Sequence, residues 1–284
     1  RHTGNRMTML THILTLAVVL VGTWNGKWFP SGRAEHRASP EREAQTIAAA
    51  GQMLRSGLSR LDPLGTNDLI LCFNEIRGLE VARKLCSAIG RTNLSVAIVT
   101  AYRRRDRFDQ QQDVIMTTLP VLDATWKLWK RKDRIYPPRG YAHARLRLPS
   151  GAEASVYAVH LKSNYGATTE ELRLDNRTKR AAAVGQLISQ EPRGSTVIIA
   201  GDFNADRWRA EFADETIFEQ LEKAGFDNPL ADLPAASRAT YPSRRHGDST
   251  LDYIMLRGMR VLRNPLIESS GSISDHDAVL MLCQ

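Results

Sequence analysis

The sequence predicts an α/β domain, and three observations carry that prediction. Short apolar runs rich in β-branched residues intermix with longer segments of helical period. No linker-like stretch, internal repeat or low-complexity segment divides the chain. Several apolar runs end in a carboxylate, an amide or an imidazole, which gathers polar groups at strand ends. At 284 residues the chain can bury a substantial core. A hydrophobic fraction of 42% beside 25% charged residues argues against wholesale disorder.

The elements follow in order. Arg1 and Arg6 precede Leu10 to Val21, a run with the length of a signal-peptide core and too short for an ordinary membrane span. Its second half, Leu16 to Trp24, reads as a first buried strand. Residues 1–15 are therefore taken as an extension or leader remnant, and 16–284 as one domain. Exported and cytoplasmic locations both stay open, the apolar run leaning toward export. Asn25-Gly26 opens a polar loop. Ser39-Pro40-Glu41 then supplies an N-cap, a proline at the first helical position and an acid in the first turn, so a helix follows to about Ser59. Strands are expected at Asp68 to Phe73 and Leu94 to Tyr102, with a helix at Leu79 to Ile89 between them.

Further strands are expected at Val114 to Thr118, Ala142 to Leu148 and Val156 to Leu161. Between the first two of these, Lys127, Lys130, Arg131 and Arg134 have helix-like spacing. Thr168-x-x-Glu171 resembles a capping box for a helix reaching Gln190. Thr196 to Ala200 is a buried strand broken by Gly201, a helix is expected from Asp214 to Ala224, and strands at Leu251 to Leu256 and Asp277 to Leu282 close the chain. Cys72, Cys86 and Cys283 show no metal-type spacing; Cys72 reads as a buried hydrophobe, and a Cys72–Cys86 bridge is left open.

The chemistry sits where the strands end. Asp202 and Asn204, two apart after Gly201, leave the same face of an extended chain. Asn25, Glu75, His160 and the Asp275-His276 pair stand at other strand ends or neighbouring loops. Asp252, inside an otherwise apolar run, has to be paired, hydrogen-bonded or metal-bound if buried. Each has an ordinary alternative: a turn, an exposed acid, a satisfied core histidine, an internal cap. One shared site explains them together. Oxygen donors without thiolates favour a hard cation, Mg2+ or Mn2+, over zinc.

Taken in order, Trp24-Asn25, Asn74-Glu75, His160-Leu161-Lys162-Ser163-Asn164, Gly201-Asp202-Phe203-Asn204, Leu251-Asp252-Tyr253 and Ser274-Asp275-His276 resemble the motifs of the endonuclease/exonuclease/phosphatase superfamily. The resemblance implies a four-layer sandwich of two mixed β-sheets with helices outside. It implies that Glu75 is the principal ligand of Mg2+ or Mn2+, helped by Asn25 and Asp275. Asp202 and Asn204 would orient water and phosphate, and His276, held by Asp252, would be a general base or stabilise the phosphorane-like transition state. His160 and Asn164 would bind the substrate phosphate, His160 also assisting the leaving oxygen. Two departures stand out. Lys27 occupies a position where some members carry an acid, and Asn74 replaces a common Gln.

The expected reaction is metal-assisted, in-line attack of water on a phosphodiester. A net charge of +8 and a pI near 9.6 favour a polyanionic partner. With Arg103 to Arg107, Lys127 to Arg134, Arg244-Arg245-His246 and the aromatic residues Trp126, Trp129 and Tyr136, they tilt the choice toward a monomeric nuclease of DNA or RNA with little sequence preference. The alternatives are a sphingomyelinase- or inositol-phosphatase-type enzyme of the same superfamily, and a catalytically silent nucleic-acid-binding module.

Overall fold

The computed structural model describes residues 18–32, 38–104, 107–131, 134–244 and 247–284. The leader expected at 1–15, and Arg105, Lys132, Arg245 and His246 of the basic stretches, lie outside the described residues.

The first sheet contains β1 (Val19–Phe29), β2 (Asp68–Ile76), β3 (Ser95–Val99), β6 (Gln112–Thr117), β12 (Leu266–Glu268) and β13 (Ala278–Cys283). Its spatial order is β12-β13-β1-β2-β6-β3. A two-stranded ribbon, β4 (Arg103–Arg104) with β5 (Arg107–Phe108), projects from it between β3 and β6 in sequence. The second sheet, ordered β11-β10-β9-β8-β7, is built from β7 (Val121–Leu128), β8 (Gly140–Arg147), β9 (Glu153–His160), β10 (Thr196–Asp202) and β11 (Asp252–Arg257). Both sheets are mixed: β1 runs parallel to β2 and antiparallel to β13, and β10 runs parallel to β9 and antiparallel to β11.

Period-two alternation sorts the first sheet into two faces. Leu20, Trp24, Leu69, Leu71 and Phe73 join a core with α1 (Pro40–Leu61) and α2 (Leu79–Ile89). Val21, Ile70, Cys72 and Ile115 belong to the other core, shared with the second sheet, α3 (Glu170–Gln190) and α4 (Ile217–Lys223). The result is four layers, helices–sheet–sheet–helices. The sheets carry Asn25 and Asn74 on the same alternation as Val21 and Ile70, which aims both amides into the gap between the sheets.

α1 begins as its sequence dictates. The Ser39 side chain accepts the Arg42 N–H at 3.3 Å, Pro40 sits in the first turn, and Ile47, Ala50, Leu54, Leu58 and Leu61 form the buried stripe. α3 is capped by Thr169, which accepts the Leu172 N–H, and not by Thr168.

Four expectations are corrected. Of the residues with helix-like spacing, Lys127 lies in strand β7, with Trp126 opposite Ala142 and Lys127 opposite Tyr141, and Lys130 and Arg131 follow it outside any helix or strand. Trp129 is buried and packs on Tyr141 at 4.9 Å, which removes it from any nucleic-acid surface. β1 does not end in an Asn-Gly turn: it continues to Phe29 through a bulge in which Lys27 and Trp28 take φ of 49° and 53°. Cys72, Cys86 and Cys283 are free thiols, so no Cys72–Cys86 bridge exists.

Candidate active site

The C-terminal ends of β1, β2, β9 and β10, the start of β11 and the loop before β13 meet at one rim of the sandwich. At β2, a register shift between Phe73 and Ile76 coincides with Glu75 at φ 60°, a left-handed conformation that is uncommon for a glutamate. The twist turns its carboxylate toward β1, where Glu75 Oε2 accepts the Trp28 backbone N–H at 2.9 Å. Asn74, one residue earlier, bridges the sheets. Its Oδ1 accepts the Asp202 N–H at 2.9 Å, and its Nδ2 donates to Asp113 Oδ1 at 2.7 Å.

Asn25 stands between two carboxylates. Its Nδ2 donates to Asp202 Oδ2 at 2.9 Å and reaches Glu75 Oε1 at 3.4 Å, while its Oδ1 accepts the Lys27 N–H at 2.9 Å. The positive end of the amide thus occupies the space that two facing carboxylates would otherwise leave repulsive.

On β10, Gly201 has φ 145°, and a Cβ there would lie 1.9 Å from Val159 O and 2.9 Å from Asn74 Oδ1. Only glycine lets β10 come this close to β9 while presenting Asp202. Asp202 Oδ1 accepts the Asn204 N–H at 2.8 Å, and Asn204 Nδ2 folds back to Asp202 Oδ2 at 3.0 Å and to Leu161 O at 3.2 Å. The pairing expected of Asp202 and Asn204 is therefore present, through a left-handed Asn204 at φ 52° rather than through extended chain.

Asp252 is fully buried. Its Oδ2 contacts His276 Nδ1 at 2.7 Å and accepts from Thr240 Oγ1 at 2.8 Å, whereas Oδ1 has no hydrogen-bond partner among the described residues. The loop bearing His276 is stitched to β1: Ser274 Oγ donates to Asn25 O at 2.7 Å, and Trp24 Nε1 donates to His276 O at 3.0 Å. Asp275 points the other way. Its Oδ2 lies 2.7 Å from Lys27 Nζ in a partly exposed ion pair. His160 Nε2 lies 3.6 Å from Asp202 Oδ2 and 3.8 Å from Glu75 Oε1. Asn164 is held by Arg180, whose Nη1 donates to its Oδ1 at 3.2 Å, and among the described residues no hydrogen bond joins it to the carboxylates.

The electrostatics divide the histidines. Burial pushes His276 down, but Asp252, then Asp202 and Asp275, outweigh it and hold the imidazole up to about 10. His160 is driven well below its ordinary range by burial and by the nearby Arg139, His276 and Lys162. Burial raises Asp202 to about 7, against the opposing pull of His276. Asp113, beneath the site, is also raised to about 7 by burial, despite hydrogen bonds from Asn74 and Tyr102.

Asp202, Asp252 and His276 offer ligand atoms within 4.8 Å of one another. Because His276 is committed to Asp252, a hard divalent ion fits better on the oxygen side, at the Glu75 carboxylate. The donor chemistry suits Mg2+ or Mn2+.

Sequence reading missed several contributors. Thr240 orients Asp252, donating from Oγ1 while accepting the Leu251 and Asp252 N–H groups, yet nothing local marks Thr240 out. Arg139, at φ 62°, places Nη1 3.4 Å from His160 Nδ1. Asp113 did carry a signal, an acid opening the apolar run Val114-Ile115-Met116, of the kind that exposes Asp252.

Comparison with known proteins identifies the fold. The catalytic domain of human Nocturnin with bound sulfate superposes with a TM-score of 0.66 at 15% identity, covering 95% of this chain and 94% of that one. TDP2 of D. rerio, complexed with a single strand DNA product, gives 0.62 at 16% identity, covering 94% and 99%. An endonuclease/exonuclease/phosphatase from Beutenbergia cavernae gives 0.66 at 12% identity, covering 94% and 72%. Likeness at these identities shows the shared fold. A sphingomyelinase of Mycobacterium tuberculosis (strain H37Rv) is 34% identical over 67 residues, a stretch that spans 24% of this chain and 12% of that protein. Residues 22–276, which hold every strand end described above, match the Endonuclease/Exonuclease/phosphatase family as a whole, and the chain belongs to that family.

Proposed function

We propose that the chain is a divalent-metal-dependent phosphodiesterase that cuts DNA or RNA by in-line attack of water, with endonucleolytic action and little sequence preference. One observation carries the reading: carboxylates, imidazoles and an amide from six separated stretches of sequence meet at one rim, with Asn25 bridging Glu75 and Asp202 and with His276 on Asp252. A catalytically silent binding module would have no use for that arrangement.

Held by the Glu75 carboxylate, Mg2+ or Mn2+ would offset charge on the phosphate. The chain's own groups do the rest. Asp202, raised to about 7, accepts the proton of the attacking water, which Asn204 helps to orient. His276, kept protonated by Asp252, donates from Nε2 to the phosphate oxygens as charge builds in the transition state. His160, driven toward its neutral form by burial, presents Nε2 to a phosphate oxygen, and Arg139 keeps its other nitrogen occupied. The phosphorus–oxygen bond to the alkoxide breaks as the water oxygen bonds.

The nucleic-acid assignment draws on the basic charge and on the fold shared with a DNA-product complex. The mycobacterial alignment supports a second reading, a sphingomyelinase-type enzyme acting on a lipid phosphodiester. Incubating supercoiled plasmid with purified protein, in Mg2+, Mn2+ or EDTA, tests the first. Nicking is expected with either metal, none with EDTA, and roughly two orders of magnitude less with Asp202→Ala or His276→Ala. Intact plasmid beside hydrolysed sphingomyelin would transfer the assignment to the second.

A further inference from the structure

The loop after β9 is more rigid than its exposure explains. It starts at His160 in the site and turns at Asn164-Tyr165-Gly166-Ala167, closed by the Ala167 N–H donating to Asn164 O at 2.9 Å. The Tyr165 N–H donates to Ser163 Oγ at 3.0 Å, which fixes Tyr165 at the corner. Its ring is 96% exposed and contributes nothing to the core.

Beneath the loop lies a fully buried guanidinium. Arg180 donates from Nε and Nη2 to Glu215 Oε2 at 2.8 and 2.6 Å, and from Nη1 to Lys162 O at 2.6 Å and Asn164 Oδ1 at 3.2 Å. A buried ion pair adds little net stability, so its clearest consequence here is where it puts the loop. With Oδ1 taken by Arg180, the amide nitrogen of the half-buried Asn164 has no acceptor among the described residues. Lys162 has no carboxylate partner among the described residues, its Nζ reaching only Ser163 O at 2.5 Å. Burial and the neighbouring Lys179, Arg180 and Arg139 hold that amine below its ordinary range, outweighing the nearby Asp175. Five residues separate Tyr165 from His160, at most about 17 Å of chain. The ring therefore stands within a few nucleotides of the reacting phosphate.

We propose that the Lys162–Ala167 loop is a nucleotide subsite for single-stranded nucleic acid, in which a base stacks on Tyr165 and Asn164 Nδ2 donates to a phosphate flanking the scissile one. The proposal rests on the phosphodiesterase reading and deepens it. A lipid phosphodiester, with one phosphate and no base, would leave the subsite empty. Rigid exposed aromatics beside cationic loops suit bases of any identity, in keeping with weak sequence preference.

The test is the affinity of a fluorescein-labelled single-stranded ten-nucleotide DNA for the full chain in EDTA, read by anisotropy. Tyr165→Ala is expected to weaken binding roughly tenfold, within the range known for loss of one stacked base, and Tyr165→Trp to restore it. The same strand with abasic residues throughout should bind wild type and Tyr165→Ala alike. Binding by Tyr165→Ala within twofold of wild type, or no binding by wild type, would overturn the subsite. Metal-dependent hydrolysis of bis(4-nitrophenyl) phosphate, which has no base and one phosphate, separates the two readings. A wild type inert toward it refutes the phosphodiesterase assignment, whereas normal turnover with a Tyr165-independent strand affinity refutes the subsite alone.

Discussion

Replacing Asp252 by Asn changes one oxygen to nitrogen at the centre of the site and leaves its volume nearly intact. In the native arrangement Asp252 Oδ2 holds both His276 Nδ1 and Thr240 Oγ1, and its charge is what keeps His276 protonated against burial. The amide can still satisfy one hydrogen bond but cannot hold an imidazolium. Loss of one preorganised donor to the charge that builds in the transition state costs about 2.7–4 kcal/mol. At about 1.4 kcal/mol per decade of rate, Asp252→Asn should lower kcat on a chromogenic diester by roughly two to three decades.

The same substitution has a signature in stability. A group whose folded pKa is raised, here from 6.5 to about 10, contributes stability in full below 6.5 and loses it as pH rises through about 10. Urea unfolding of the metal-free wild type should therefore show stability falling between pH 6.5 and 10, with Asp252→Asn lacking that component. A variant retaining kcat within tenfold of wild type, together with the wild-type pH gradient, would refute the role given to the pair.

Gly201→Ala should cost more than about 3 kcal/mol or prevent soluble expression, because its Cβ would strike Val159 O at 1.9 Å, whereas Gly151→Ala, at φ 85° with nothing within 4 Å, should cost about 1 kcal/mol; thermal melts compare the two. Asp62, at the end of α1, is raised by burial but lowered further by Arg91 and by the Asn67 and Thr66 N–H groups, so its folded pKa is depressed. That stability is present above 3.8 and lost as pH falls through the folded value. Asp62→Asn should be about 1–3 kcal/mol less stable than wild type at pH 7, with the gap closing in acid, by urea titration. Mg2+ or Mn2+ at a hundredfold excess over its dissociation constant should stabilise wild type by about 2.7 kcal/mol, and Glu75→Gln much less, by differential scanning calorimetry.

Much of the site was legible because buried strands ending in polar residues are visible one stretch at a time. Asp202 after Gly201, and Asp252 inside an apolar run, are local signals of that kind. What the chain does between stretches was not. Thr240 and Arg139 matter through partners 12 and 21 residues away, and Arg180 holds its loop from 16 residues off. Strand β7 was missed because its half-exposed faces blur the alternation that would have marked it, and Lys127 at its end falls at helical spacing with Lys130 and Arg131 of the following loop. The bulge at Lys27 and Trp28 was read as the start of a polar loop because Asn-Gly favours leaving the strand; pairing with β2 resumes at Phe29 opposite Ile76, which no local pattern encodes.

The most direct test is a crystal of the protein soaked in Mn2+ and measured for anomalous scattering. The account predicts a peak bonded to the Glu75 carboxylate at the rim shared with Asp202. A peak elsewhere, with Glu75 free of metal while the protein still hydrolyses diesters in Mn2+, would contradict it.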